Sequence, residues 1–188
     1  RFIFVKIDTE KRVISSIVVA TSDYIVKKFG AFGVPTIKYQ MIISDIKRKE
    51  IVALDDSCFY KGDTAKIAKH TTNKAVKPTA KISDAPVSGQ IMSLDCIKEK
   101  VVNSLIGIKL VVSDTKTKGQ FLERYIANLL GYNAEESLVG GYPDIPNQLL
   151  EMKVQDTPTV DLGKYSPSNP IVINEAMGVT SEDVRYLI

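Results

Sequence analysis

The stretch Val139-Gly140-Gly141-Tyr142-Pro143-Asp144-Ile145-Pro146-Asn147-Gln148-Leu149-Leu150-Glu151-Met152-Lys153-Val154-Gln155 decides how the rest of the chain is read. Two adjacent glycines followed by two prolines predict a turn or bulge around Asp144. From Leu149 to Val154 the pattern becomes that of a strand. Alternate residues of a strand share a face, so Glu151 and Lys153 project together, with Gln155 beyond them, while Leu150, Met152 and Val154 enter the core. Charges in a core strand are expensive unless partnered. A metal-binding carboxylate beside a lysine supplies such a partnership.

Those groups suit phosphodiester hydrolysis, which needs a hard divalent cation to neutralise non-bridging oxygens and acidify an attacking water. Magnesium takes oxygen ligands, commonly one or two carboxylates with water and substrate phosphate around them. Asp144 and Glu151 are the candidate ligands of Mg2+, with the Met152 carbonyl as a further oxygen. Lys153 either loses basicity through burial and orients the water, or stays a cation and stabilises the pentacovalent charge. Other hydrolytic chemistries lack their residues. The chain has one histidine, His70, so zinc hydrolases, histidine-metal nucleases and histidine triads are not supplied. Its two cysteines, Cys58 and Cys96, lie far apart with no C-x-x-C spacing and read as reduced thiols.

Upstream lies the clearest helix signal. Phe121, Leu122, Tyr125, Ile126, Leu129 and Leu130 form an apolar stripe, with Ser113 or Asp114 as the cap and Gly131 as the stop. Glu123 sits on this helix after Lys118-Gly119. Pro143-Asp144, six residues, then Glu151-Met152-Lys153, with that helix before it, resembles the PD-(D/E)xK nuclease superfamily. The spacing is similar to that of type II restriction endonucleases and mismatch-repair nicking endonucleases, and the resemblance covers residues 113–167. It implies an α+β fold, a restriction-endonuclease-like mixed β-sheet core flanked by helices. It also implies Mg2+-dependent cleavage of double-stranded DNA by a homodimer with one active site per strand. Asp144, Glu151 and Lys153 would then be catalytic, with Glu123 a second-metal ligand or hydrogen-bond partner of Lys153 and Gln155 a polar wall. Lys118, and Lys164, Tyr165 and Ser166 in the loop beyond the catalytic strand, are candidate DNA contacts. A mismatch-repair or recombination nuclease, or a non-catalytic DNA-binding module on the same fold, is the alternative. A decayed site should have lost one of the three residues, and all three are present.

Outward from this region the chain divides by pattern. Residues 1–60 read as a β-rich accessory domain for DNA binding or dimerisation. It has strands over residues 2–7 and 13–20, a short helix from Thr21-Ser22-Asp23 to Gly30, and a hairpin pairing 37–46 with 50–54 around Lys47-Arg48-Lys49. Residues 61–90, dominated by Lys, Thr, Ala, Ser, Pro and Gly, read as a flexible linker. Residues 91–188 are the expected nuclease domain, with a helix over 91–106 and strands at 108–112, 171–173 and 184–188. So little chain follows the catalytic strand that this core is expected to be compact or incomplete at its C-terminal end.

The formal charge of +3 is unevenly spread. Residues 1–90 hold 16 Lys/Arg against 9 Asp/Glu, a net +7, and residues 91–188 hold 9 against 13, a net −4. Such asymmetry suits a basic surface that attracts phosphates beside a site that gathers cations. The first 90 residues are therefore expected to supply DNA affinity, and a chain beginning near Ile91 to fold alone. No apolar run approaches the roughly 20 residues of a membrane span, and the expected location is the cytoplasm of a prokaryotic cell. Because the chain starts at Arg1 rather than Met, the lack of a secretory leader carries little weight.

Overall fold

Asp8 ends the first apolar run by accepting hydrogen bonds from the N–H groups of Glu10 and Lys11, at 3.1 and 3.0 Å, and the chain doubles back as an antiparallel hairpin. The computed structural model describes residues 2–30, 38–52, 62–74, 80–109, 115–133, 141–155 and 157–188. The described residues contain five α-helices and small two-stranded sheets, a mixed α/β composition that agrees with an α+β class. They fall into two compact units, Arg1–Thr36 and Ile37–Ile188.

The first unit follows its local signals. Strands β1 (Phe2–Asp8) and β2 (Val13–Ala20) form the ribbon, and helix α1 (Ser22–Phe29) starts where the Thr21 hydroxyl accepts from Tyr24 N. Gly30, at φ +89°, ends it. The run Phe2-Ile3-Phe4-Val5 is apolar at every position, so both faces of the ribbon carry large apolar groups. Ile3 and Val19 are 68% and 65% exposed within this chain.

The second unit corrects several expectations. Strand β3 (Tyr39–Ile42) does not turn back on residues 50–54. It pairs antiparallel with the distant β7 (Thr159–Gly163), while Asp45–Val52 forms helix α2. Lys, Arg and Glu are good helix formers, and no Gly, Asn or Pro marks a turn there. Asp45 at the start and Lys49 at the end suit the helix dipole. The accessory segment therefore ends near residue 36 rather than 60, and residues 53 and 54 lie outside the described set.

Nor is the stretch 61–90 a tether where it is described. Helix α3 (Ala65–Ala68) is capped by Thr64, whose hydroxyl accepts from Ile67 N and donates to Asp183 at 2.6 Å. Strand β4 (Thr71–Thr72) pairs parallel with β5 (Ile91–Met92). Ile67 packs fully buried with Ile91, Leu149 and Val179, and Ile82 joins the larger core cluster. Bulk composition hid this, because two well-placed isoleucines and a few polar anchors suffice when partners elsewhere supply the rest of the core. A chain beginning near Ile91 would lose both isoleucines, β3, β4 and Thr64, and with them part of the core that residues 91–188 pack against.

The larger cluster joins helices α4 (Leu94–Leu105) and α5 (Thr115–Leu130) through Ile97, Val101, Ile126 and Leu130 to Tyr132, Ile145, Leu150 and Met152. The α4 helix begins at Ser93, which accepts from Cys96 N at 3.2 Å. Ile108 and Lys109 are not in a strand, and residues 110–114, including the expected cap of α5, lie outside the described set. Strand β6 (Leu150–Met152) carries Glu151. Downstream, β8 (Val172–Asn174) pairs with β9 (Val179–Thr180), and β10 (Arg185–Leu187) returns parallel to β6 with Tyr186 beside Glu151.

Leu149, just before β6, has left-handed backbone angles, φ 50° and ψ 43°, yet its side chain is fully buried. Replacing it with glycine relieves about 1–2 kcal/mol of backbone strain but removes a buried leucine worth about 2–5 kcal/mol even to alanine. Leu149→Gly is therefore expected to lower unfolding free energy by roughly 2 kcal/mol. Urea denaturation checks this, and a variant as stable as the parent would take Leu149 out of the core.

Candidate active site

Around the two prolines of the decisive stretch the chain does form a closed turn, while Gly140 lies outside the described residues. The Tyr142–Pro143 peptide is cis, Pro146–Gln148 make one 3-10 turn, and Ile145 and Leu150 exchange backbone hydrogen bonds of 2.9 and 3.2 Å. This returns Asp144 to the side of β6. The turn is held from inside by Gln148, which is fully buried. Its Oε1 accepts from Met92 N at 2.8 Å, and its Nε2 donates to Gln90 O at 3.1 Å and Tyr132 OH at 2.9 Å. Tyr132 OH in turn donates to Asn147 Oδ1 at 2.6 Å. The buried Arg185 guanidinium donates to Met92 O at 2.7 Å and to Gln148 O, with Asp63 Oδ1 3.7 Å from its Nε. None of these supports stood out in the sequence. The only trace was a pair of amides, Asn147-Gln148, inside an otherwise apolar run.

On this scaffold the three central residues meet. Asp144 N donates to Glu151 Oε2 at 3.0 Å, Met152 N donates to Asp144 Oδ2 at 2.8 Å, and the Lys153 ammonium is bonded to Glu151 Oε1. Glu151 is 4% exposed. Burial pushes its carboxyl up to about 7, with the neighbouring Asp144 charge adding to the rise and Lys153 opposing it. Burial also pushes Asp144 up, against the Met152 N–H and Lys153. For Lys153 burial pulls the ammonium down, but the Glu151 hydrogen bond and the two carboxylates outweigh it and the net shift is upward. Of the two roles open to Lys153, the structure favours the retained cation.

Glu123, half-buried on α5, lies within electrostatic reach of this group. Burial pushes its carboxyl up, Asp144 pushes it further, and Lys153 pulls it back. The hydrogen bond of Lys153 goes to Glu151, however, not to Glu123. Among the described residues no three His, Cys, Asp or Glu side chains converge on one point. Asp144 and Glu151 are two neighbouring carboxylates among the described residues, a number that magnesium commonly uses with water and phosphate completing its shell.

The donor set fits such an ion. Two hard oxygen groups lie desolvated side by side, each pushed up by burial, and a dication would neutralise the charge they carry. A raised carboxyl pKa stabilises the fold at low pH, and that contribution is lost as pH rises through about 7. Proton and metal compete for the same pair. Magnesium is therefore expected to raise the melting temperature more at about pH 8 than at about pH 6. Equal stabilisation at both, followed by thermal denaturation, would separate the metal from these carboxyls.

The candidate DNA contacts are distributed unevenly. Lys118 is partly exposed on α5. Gln155 is exposed and donates to Thr157 Oγ1 at 2.5 Å. Lys164 is exposed, with its ammonium 5.2 Å from the Tyr165 ring centroid. Tyr165 stacks on Tyr142 at 4.1 Å, and Tyr142 OH shares a 2.7 Å hydrogen bond with Tyr186 OH. Ser166 is a correction. It is 4% exposed, its hydroxyl bonds Ser168 at 2.7 Å and its carbonyl accepts from Ser181 Oγ. Its hydroxyl is engaged within the loop, by Ser168 Oγ and Ser168 N.

Comparisons with protein-family models, with curated proteins and with solved structures return no match. Among the described residues no helix is long and apolar enough to cross a membrane.

Proposed function

We propose that the protein is a magnesium-dependent endonuclease that hydrolyses phosphodiester bonds of double-stranded DNA, most closely in the manner of a type II restriction enzyme. In this reading residues 37–188 form a restriction-endonuclease-like core, and two copies act together, one on each strand. The observation that carries it is the buried Asp144–Glu151 pair with the Lys153 ammonium bonded to Glu151.

Asp144 and Glu151 would hold the metal ion, which when bound neutralises phosphate charge and acidifies water. Lys153, kept protonated by the carboxylates, remains a cation next to the phosphate and can donate to a non-bridging oxygen or hold the attacking water. Glu123 adds negative potential on the α5 side. The closed turn and the Gln148–Arg185 network keep these groups fixed, so little reorganisation accompanies charge development. Lysines and arginines of the basic first 90 residues would supply phosphate contacts, in the cytoplasm of a prokaryotic cell.

The test is incubation of supercoiled plasmid with the full chain and magnesium. Nicked and then linear product is expected, and chelation should abolish both. Plasmid left supercoiled at micromolar protein, with magnesium or manganese, would overturn the reading.

A further inference from the structure

Beside the carboxylate pair stands a short aromatic ladder that the proposed chemistry leaves unused. Tyr186 is in register with Glu151 across the parallel β6–β10 pair, and side chains in register share a face of the sheet. Tyr186 therefore lines the same face as Glu151 and Lys153. Its hydroxyl meets that of Tyr142 at 2.7 Å. Burial raises both phenols, and the Glu151 charge raises them further, so both stay neutral. Tyr142 in turn stacks on Tyr165 with ring centroids 4.1 Å apart and planes within 4°. One face of Tyr165 is thus taken by Tyr142. The Lys164 ammonium lies over the same Tyr165 ring, 5.2 Å from its centroid.

We propose that Tyr165 is a stacking platform for an unpaired nucleobase adjacent to the scissile phosphate, with Lys164 swinging aside to meet a backbone phosphate. A flat ring backed by a second ring and fringed by a flexible cation is the arrangement that holds single-stranded nucleic acid. Tyr142 is two residues from Asp144, within about 7 Å along the chain, so the base belongs to a nucleotide close to the one being cut. Within an intact duplex both faces of every base are covered by neighbours, and a protein ring can stack only on a base that has left the stack. The inference rests on the nuclease reading and names its substrate class: DNA with an extruded, mismatched or branch-point base at the cut, in preference to fully stacked duplex.

The test measures binding without cleavage. Full-length Lys153→Ala protein is titrated with calcium into two 2-aminopurine duplexes, one fully paired and one with the probe opposite an abasic site. The extruded probe should bind roughly 10- to 100-fold more tightly than the paired one, with fluorescence quenched on binding. Tyr165→Ala should abolish both the preference and the quenching, and Tyr165→Phe should keep them. Lys164→Ala should flatten the salt dependence of binding while leaving the quenching in place. If Tyr165→Ala retains the preference, or if paired and extruded probes bind alike, the platform is ruled out. Should the protein with Lys153 intact still cleave plasmid with magnesium, the nuclease reading survives that loss. Binding of neither duplex would remove the platform, and plasmid left uncut as well would remove the nuclease reading with it.

Discussion

Replacing Lys153 with alanine is expected to slow single-turnover cleavage of DNA by roughly 100- to 10,000-fold, the range for losing a positioned proton donor or charge-stabilising group. The ammonium bonds Glu151 Oε1 and is held protonated by two carboxylates, so it presents a fixed positive charge where the phosphorane charge would develop. Its removal should not unfold the protein. Burial already pushes the Glu151 carboxyl up to about 7, and without Lys153 opposing that rise it would take up a proton and avoid an isolated buried charge. DNA binding should persist, because phosphate contacts elsewhere supply affinity. A Lys153→Ala protein cutting within tenfold of the parent rate would take this lysine out of the mechanism.

Arg185→Met is expected to destabilise the fold by about 3–5 kcal/mol, as when one member of a buried ion pair is removed. The guanidinium is 7% exposed and donates to the carbonyls of Met92 and Gln148. Asp63 Oδ1, at 3.7 Å, is close enough for charge attraction but too far for a hydrogen bond, and neither it nor Arg185 Nε has a hydrogen-bond partner. Burial already pushes Asp63 up and Arg185 down, with mutual attraction opposing both. Methionine would leave the aspartate alone and two carbonyls unsatisfied. Asp63→Leu added to Arg185→Met should recover part of the loss, since the desolvated charge is then gone. Urea unfolding of the two proteins measures this, and a single variant within about 1 kcal/mol of the parent would mean that the network does not hold the turn.

The parts of this protein legible from sequence are those whose cause is local. Strand periodicity placed Glu151 and Lys153 on one face, and they are bonded there. Thr21, Gly30 and the stripe along α5 marked helices that exist. The double glycine and two prolines marked the turn at Asp144. Illegible were the pairings that depend on distant chain. Nothing in Tyr39-Gln40-Met41-Ile42 names residues 159–163 as its partner, and nothing in Arg185 names Gln148. The polarity of Lys47-Arg48-Lys49 suggests a hairpin tip, although helix propensity there is the stronger local signal. Ile67 and Ile82 were overlooked because average composition hides single residues that fill a core. At the site itself, the phenols of Tyr142 and Tyr186 become neighbours only through the β6–β10 register, so no spacing in the sequence announced them.

The most direct measurement is the anomalous difference map of a crystal grown or soaked with Mn2+ at about pH 8. The expected result is a peak about 2.0–2.6 Å from a carboxylate oxygen of both Asp144 and Glu151, with the Lys153 ammonium next to it and no peak in an Asp144→Asn crystal. A Mn2+-saturated crystal with no density between these two carboxylates, or with Lys153 turned away from them, would contradict the assignment of this group as a metal-dependent nuclease site.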